Sequence, residues 1–339
     1  MRLSFRHIFL FFIFNVTFYE GYCQDINFSQ FYEMPLLRNP ALAGIYGADL
    51  RTTAAYRNQW GSVSRPFNTQ AVSLELKGGI SSNSDDYMTG GFLLTNDRAG
   101  DSKLGQTQLL PMVAYHKSLS AENDMFLTLA FMGGPVRYSL ETSDLRFTSN
   151  FITNSSGVPD NLVTQFSYLD ASVGMSFSAT TASDIYYYLG GALFHVTQPS
   201  VSLLQLNDAQ LARKYSVNAG LSLPIIEFNR LIFYFDGFSQ NKNNLYQAGV
   251  LYKNVFEQTE EDEYLAMTLG CILRWNDAII PVVKFDYYKL SIGLSYDTNI
   301  SKLRGASQFR GGFEATFNYK TYLNLNGTAK NKLRCLPKF

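Results

Sequence analysis

Cysteine, histidine, net charge and long apolar runs are all scarce in this chain. Its 339 residues include three cysteines and three histidines, and 28 basic residues balance 28 acidic ones to a formal net charge of zero. A neutral balance gives no electrostatic reason to expect a nucleic-acid partner. Beyond the first 23 residues no stretch approaches the roughly 18 consecutive apolar residues of a membrane-spanning helix. At 46% hydrophobic and 17% charged residues, the composition also excludes disorder.

The first 23 residues have the parts of a cleaved secretory signal. Arg2 and Arg6 precede the apolar run 8–14, and small residues occupy the positions three before and one before a cleavage site after Cys23. The apolar run is too short to cross roughly 30 Å of hydrocarbon as a helix. We therefore expect an exported protein that begins at Gln24. A membrane anchor is one alternative, and a lipoprotein is another, although a bulky tyrosine precedes Cys23.

The two cysteines that remain after signal cleavage are too few for a disulfide scaffold. Cys271 falls on the apolar face of a predicted strand, and Cys335 lies in the tail. We expect Cys271 to be a buried, inert thiol and Cys335 to be free, with a disulfide between them as the alternative.

Four segments alternate apolar with polar or small residues almost without exception. They are 214–223, 265–275, 288–297 and 309–319. Because side chains on a strand point to opposite faces in turn, each predicted strand has one apolar and one polar face. This pattern suits a strand between lipid and water. In a soluble sandwich the apolar faces would instead meet in a shared dry core.

The whole chain contains about fourteen candidate strands, most of them roughly 8–13 residues long, close to the 9–11 residues of a tilted membrane-spanning strand and longer than typical soluble strands. They lie near 48–59, 69–77, 89–96, 107–118, 125–137, 166–178, 185–195, 214–223, 230–239, 245–253, 265–275, 278–286, 288–297 and 309–319. They predict an all-β fold, a transmembrane antiparallel β-barrel of about 14 strands.

The connections predict the orientation and the domain limits. If the chain enters the first strand from the periplasm, the longest loops, 138–165 and 196–213, lie outside and mostly short turns lie in the periplasm. We expect the barrel to span 48–319 and a periplasmic tail to span 320–339. Charged residues on the polar faces should point into the lumen and pair there. These are Glu75, Asp170, Arg274, Asp286, Arg310 and Glu314.

Residues 24–47 precede the first strand and do not alternate. Two prolines and a terminal glycine make this segment rich in turns, and its aromatic side chains need a surface to cover them. We expect it to enter the mouth or lumen of the barrel as a partial plug. An ordered periplasmic strap is the alternative.

The chain carries two specific motifs, an opening signature and a glycine-rich last strand. Their residues are Phe28, Ser29, Gln30, Asn39, Pro40, Ala41, Gly44, Tyr56, Arg57, Asn58, Gln59 and Trp60 at the start, and Arg310, Gly311, Gly312, Phe313 and Glu314 at the end. In this order along the chain, they resemble the PorP/SprF family of outer-membrane proteins in Bacteroidota type IX secretion and gliding. The tail at 334–339 is similar to the family's Cys-Pro-basic-Phe ending, with Leu336 inserted.

The resemblance implies an outer-membrane component of type IX secretion that acts without catalysis and needs no cofactor or metal. It would support export or surface anchoring of a partner such as an adhesin with a C-terminal sorting domain, in contact with other type IX components and with membrane lipid. From their position, Arg57, Asn58, Gln59 and Trp60 at the outer end of the first strand suit the interfacial girdle. The alternative is a family-specific contact with the N-terminal segment or a partner.

Two other classes of function compete. One is a diffusion porin or hydrophobic-solute transporter. The other is an outer-membrane enzyme, for which the sequence offers only His116 and His195 and no serine in a glycine elbow. Asp85, Asp86, Asp97 and Asp101 are expected to be solvated loop residues. The acidic run 257–263 is either a solvated turn or a docking site for a basic periplasmic partner.

Overall fold

The computed structural model describes residues 25–59, 61, 65–80, 84–100, 103–142, 162–203, 209–226, 228–258, 264–302, 304–308 and 310–323. The predicted signal peptide, Trp60, Asp101, most of the acidic run and the tail with Cys335 lie outside these residues. None of the helices in the described part of the chain is long and apolar enough to cross a membrane.

Fourteen antiparallel strands close into one barrel, which confirms the predicted fold class. Each strand pairs with its neighbours in sequence, and the last pairs with the first, so that Arg57 lies opposite Glu314. The strands are β1 Leu50–Gln59, β2 Phe67–Gly79, β3 Tyr87–Ala99, β4 Leu104–Ser120, β5 Met125–Ser139, β6 Gln165–Thr180, β7 Tyr186–Phe194, β8 Lys214–Ile226, β9 Asn229–Gln240, β10 Asn243–Gln258, β11 Tyr264–Arg274, β12 Ala278–Tyr287, β13 Leu290–Asn299 and β14 Arg310–Thr321.

Burial follows the alternation of the sequence. On β13, Ile292 and Leu294 are exposed on the outer wall, whereas Ser295 and Asp297 are buried inside. The outward tyrosines and tryptophan gather toward the two ends of the strands, as the aromatic girdles of membrane barrels do. They are Tyr56, Tyr215, Tyr246, Trp275 and Tyr296 toward one end and Tyr115, Tyr187, Tyr252 and Tyr287 toward the other.

The two ends of the barrel differ in their connections. We call the end at which odd-numbered strands finish the loop end, because it carries the connections 140–164 and 195–213. The opposite, turn end carries short connections such as 121–124, 181–185 and 288–289. The chain enters β1 at the turn end.

Four expectations about single residues are wrong. Asp86 is buried and Asp97 lies within β3, where it accepts a hydrogen bond from Thr69, so neither is a solvated loop residue. Cys271 is exposed on the outer wall and not buried, because the apolar face of a barrel strand faces outward. Arg310 is exposed at the rim of the loop end, since it is the first residue of β14 and lies beside a register shift at Asp297 and Thr298. The other charged residues expected in the lumen are buried there: Glu75, Asp170, Arg274, Asp286 and Glu314.

Candidate functional site

Residues 25–48, which we call the lumen segment, lie against inward-facing side chains of the barrel. The segment contains two short 3-10 turns, Phe31–Glu33 and Pro40–Leu42, and a one-turn helix, Pro35–Arg38. Asp25 contacts residues at the loop end, and Gly44 contacts residues near the start of β1 at the turn end. The segment therefore runs lengthwise through the lumen.

The opening signature meets the last strand through the carboxylate of Glu314. The backbone N–H groups of Ser29 and Gln30 each donate a hydrogen bond of 2.6 Å to one of its two oxygens. The Ser29 hydroxyl donates to Asp297 Oδ1 at 2.5 Å, and Thr316 Oγ1 donates to the side-chain oxygen of Gln30 at 3.0 Å. The two strands that flank the loop at 300–309, β13 and β14, thus hold the segment.

Two arginines balance the carboxylates of this region. Arg57 donates through Nη2 to Asp297 at 2.8 Å, lies 3.8 Å from Glu314 and donates through Nη1 to the Asn27 carbonyl. Arg274 donates through Nη2 to Asp297 at 2.6 Å. Because an unpaired charge buried away from water is costly, two cations facing two carboxylates make the cluster stable in the lumen.

Arg38 anchors the middle of the segment. Its guanidinium binds both oxygens of Asp236, through Nε at 2.7 Å and Nη2 at 2.8 Å, and Nη2 also donates to the Tyr188 hydroxyl at 2.7 Å. It lies 5.0 Å from the centre of the Phe31 ring. Burial by itself would lower the pKa of Arg38, but the charge of Asp236 outweighs it and raises that pKa above its usual value.

Glu33 forms a second buried ion pair. Its Oε1 lies 2.6 Å from Lys284 Nζ on β12, and its other oxygen accepts from the amide of Asn318 on β14. Burial by itself would raise the pKa of Glu33, yet the charges of Lys284 and Lys320 outweigh burial and hold it below its usual value. The carboxylate is therefore ionised and fixes the segment to two strands.

Asn39 sits in a notch between two glycines of the wall. Its side-chain oxygen accepts from Ala41 N at 2.9 Å, which caps the turn Pro40–Leu42, and its amide donates to the carbonyls of Met175 at 3.1 Å and Gly191 at 3.2 Å. A Cβ on Gly174 would lie 2.1 Å from Asn39 Oδ1. The Asn-Pro-Ala motif thus needs a strand without a side chain at this point.

Near the end of the lumen segment, Gly44 has a left-handed backbone conformation, with φ of +74°. Its N–H donates to Glu75 Oε2 at 2.9 Å, and Arg51 binds the other oxygen of Glu75 at 2.6 Å. A Cβ at Gly44 would meet Thr89 Oγ1 at 2.2 Å. Both the backbone angle and the space therefore require glycine.

The leading end of the segment is held by a histidine. His195 Nε2 lies 2.8 Å from Asp25, and His195 Nδ1 lies 2.8 Å from Asp170. Lys214 Nζ lies 2.6 Å from the same Asp25 oxygen. Burial by itself would lower the pKa of His195, but the charge of Asp25 and the hydrogen bonds that the ring donates to both carboxylates raise it to about 9. His195 is therefore charged at neutral pH.

The other histidine is separate and structural. His116 is buried on β4 between the hydroxyls of Thr89 at 3.0 Å and Thr128 at 2.8 Å, and its ring stacks on Tyr87. Within the described part of the chain, no three His, Cys, Asp or Glu side chains are arranged to hold a metal ion.

The signature residues divide between three places. The lumen segment contains Phe28, Ser29, Gln30, Asn39, Pro40, Ala41 and Gly44, and all of them are buried. The inner wall contains Arg57, Gly312 and Glu314. On the outer wall or rim lie Tyr56, Asn58, Phe313 and Arg310, with Asn58 donating to Asn68 at 2.8 Å. Gln59 and Gly311 lie close to Arg57 and Asp297, respectively.

Sequence reasoning missed the central ion pairs. Asp236 and Lys284 stand on the polar faces of β9 and β12, and Glu33 and Arg38 interrupt an otherwise apolar stretch. An isolated charged residue on an inward strand face or within an apolar stretch could have indicated a buried ion pair, because charges on a buried face need partners. The signal identifies the residues but not which of them pair.

Among solved structures, the fold is similar to a BamA from Haemophilus ducreyi lacking POTRA domains 1–3, with a TM-score of 0.39, 9% identity, and coverage of 80% of this chain and 70% of that chain. It is also similar to the deltaS2 mutant of the TodX monoaromatic hydrocarbon channel, with a TM-score of 0.44, 9% identity, and coverage of 86% and 94%. No curated protein matches the sequence.

The family comparison agrees with the motifs of the opening segment and the last strand. The model of the type IX secretion system membrane protein PorP/SprF matches residues 20–319, which include the lumen segment and nearly all of the barrel. The chain therefore belongs to the PorP/SprF family of type IX secretion system membrane proteins.

Proposed function

We propose that this barrel acts without catalysis in the outer membrane and supports the export or surface anchoring of a secreted protein with a C-terminal sorting domain. Family membership supports a role in type IX secretion. The observation that carries the proposal is the filled lumen. A segment held by ion pairs at Asp25, Glu33 and Arg38, and by a hydrogen bond from Gly44, fits a scaffold for partner proteins better than a diffusion channel.

The long connections supply a recognition surface in this proposal. Connections 140–164 and 195–213 emerge at the same end of a rigid wall, where loop sequence can vary without disturbing the strands. We place this loop end outside the cell, so that the cargo meets it as it leaves the membrane. The turn end then faces the periplasm and other type IX components.

The experiment measures cargo location after loss of the barrel. In the native bacterium the gene is deleted and restored, and sorting-domain proteins are quantified on the cell surface by protease shaving and in the periplasm by fractionation. We expect deletion to remove one or more of these proteins from the surface and restoration to return them. An unchanged surface population would contradict the proposal.

A conductance measurement separates the porin alternative. The purified full-length protein is inserted into planar lipid bilayers beside a general diffusion porin. We expect no steady single-channel current, because the lumen segment occupies the interior. A stable conductance together with normal cargo display would favour the porin.

A further inference from the structure

Exposed charges separate by sign between the two ends of the barrel. The turn end carries exposed acidic residues, among them Glu122, Asp184 and Glu257, with Lys117 and Lys289 as exposed cations. At the loop end, the exposed charges at or beside strand ends are mainly basic. The cations are Arg65, Arg98, Arg137, Arg213, Lys242, Lys302 and Arg310, against the exposed carboxylate of Glu141, which pairs with Lys103 at 2.8 Å. The loop end of the described wall therefore attracts anions.

Two of these arginines share a patch on the outer face of β3, β4 and β5. Arg98 on β3 lies opposite Gly105 on β4, and Arg137 on β5 lies opposite Thr107 on β4. The arginines are two strands apart and offset by two residues along β4, which places their Cα atoms roughly 12 Å apart. Gly105 adds no side chain between them, and Asn96 donates to Thr107 Oγ1 at 2.8 Å beside them. We call these five residues the outer arginine patch.

Neither arginine of the patch forms an ion pair with another described residue, whereas Arg38, Arg57 and Arg274 in the lumen are all paired. Acidic residues occur in the adjoining loops, at positions 101, 144, 160 and 208, which lie outside the described residues. The guanidinium groups of Arg98 and Arg137 thus face outward, on the side of the wall that meets lipid.

An apolar surface begins directly below the patch. Leu94 and Leu109 lie opposite each other on β3 and β4 and are 39% and 45% exposed, and Leu169 on β6 is 69% exposed. A molecule that covers both surfaces must have an anionic head and hydrocarbon chains. A free anion or an acidic protein surface would cover the arginines but not the leucines, so each fits the combined surface less well than an anionic lipid does.

We propose that the outer arginine patch binds the phosphate groups of a phosphorylated glycolipid of the outer leaflet, with its acyl chains on Leu94 and Leu109. Arginine forks bind phosphate oxygens in pairs, and the Cα spacing of roughly 12 Å lets two arginines hold two phosphates of one headgroup. The site goes beyond the proposed secretion role. It depends only on the loop end facing outward.

The test titrates the full-length protein in mild detergent with bisphosphorylated lipid A, with the same lipid after removal of both phosphates, and with inorganic phosphate alone. We expect clear preference for the bisphosphorylated lipid. Each surface arginine near an anionic headgroup contributes about fivefold in affinity, so R98Q/R137Q should bind roughly 25-fold more weakly. R98K/R137K keeps both charges but loses the paired fork, so its binding should lie between that of the wild type and that of R98Q/R137Q. R213Q, which removes an exposed arginine on another part of the rim, should change binding less than about twofold.

Several results would overturn the proposal. One is unchanged lipid binding by R98Q/R137Q, and another is equal binding of the dephosphorylated lipid. A loss in R213Q as large as in the double variant would show unspecific charge attraction instead of a site. Inorganic phosphate bound as tightly as the lipid would reduce the patch to a simple anion site. Circular dichroism and heat-dependent gel mobility confirm that each variant is folded.

Discussion

Replacing Arg38 by methionine tests whether ion pairs in the lumen hold the lumen segment. The substitution removes two hydrogen bonds to Asp236, one to Tyr188 and a contact with the Phe31 ring. It leaves the carboxylate of Asp236, which is fully buried, with only the neutral amides of Asn218 and Gln247 as partners. Breaking a buried ion pair from one side costs about 3–5 kcal/mol, so we expect a loss of that size in the free energy of unfolding.

The double variant R38M/D236N separates the buried charge from the lost packing. Because the double variant leaves no unpaired carboxylate, we expect it to recover more than half of the loss, to within about 2 kcal/mol of wild type. The matched control is K103Q, which breaks the exposed pair of Lys103 and Glu141, whose side chains are 40% and 50% exposed. Screening by solvent should keep that cost below about 1 kcal/mol.

The assay is reversible urea unfolding in phospholipid vesicles, followed by intrinsic fluorescence. A loss below about 1 kcal/mol in R38M would show that the pair does not anchor the segment. A double variant as unstable as R38M would show that the loss comes from packing and not from a stranded charge. Either result would refute the electrostatic account of the filled lumen.

Three further predictions concern the same segment. G174A should lower the free energy of unfolding by about 1–3 kcal/mol, because the new Cβ would lie 2.1 Å from Asn39 Oδ1. G90A is the control, since a Cβ on Gly90 would have no atom within 4 Å, and it should change the free energy of unfolding little in the same urea titration. N39A should cost about 2 kcal/mol in the same assay, since it removes a cap and two bonds to strand carbonyls. The stabilisation from His195 should be full below its ordinary pKa of about 6.5 and should vanish as pH rises through about 9, because the charged ring faces the carboxylates of Asp25 and Asp170, with Lys214 as a neighbouring cation. The protection factors of residues 25–28, taken against the intrinsic exchange rate at each pH, should therefore fall between pH 7 and 10 and stay flat in H195Q, and an equal fall in H195Q would contradict this.

The barrel was predictable because alternation with a period of two is a local property. The segment 214–223 lies within β8, Lys214–Ile226, and the predicted 309–319 nearly coincides with β14, Arg310–Thr321. Each strand carries its own evidence of which side is apolar. The ends were less predictable, as at β2, which runs from Phe67 to Gly79 and not from 69 to 77, because pairing with the neighbouring strand extends it.

The pairing inside the lumen was not predictable from one sequence. Arg38 and Asp236 are 198 positions apart, and Gln30 and Glu314 are 284 apart. Alternation shows that Asp236 faces inward, but several inward cations and carboxylates would satisfy the same rule. Which of them meet depends on the path of a segment that has no periodic pattern of its own.

The position of the two specific signatures follows from how the barrel closes. Arg57 on the first strand and Glu314 on the last lie directly opposite each other across the closing seam, and Glu314 also receives the N–H groups of Ser29 and Gln30. The carboxylate of Glu314 therefore reaches its arginine only after β14 has paired with β1. Docking of the segment and closure of the barrel stabilise each other through this one side chain.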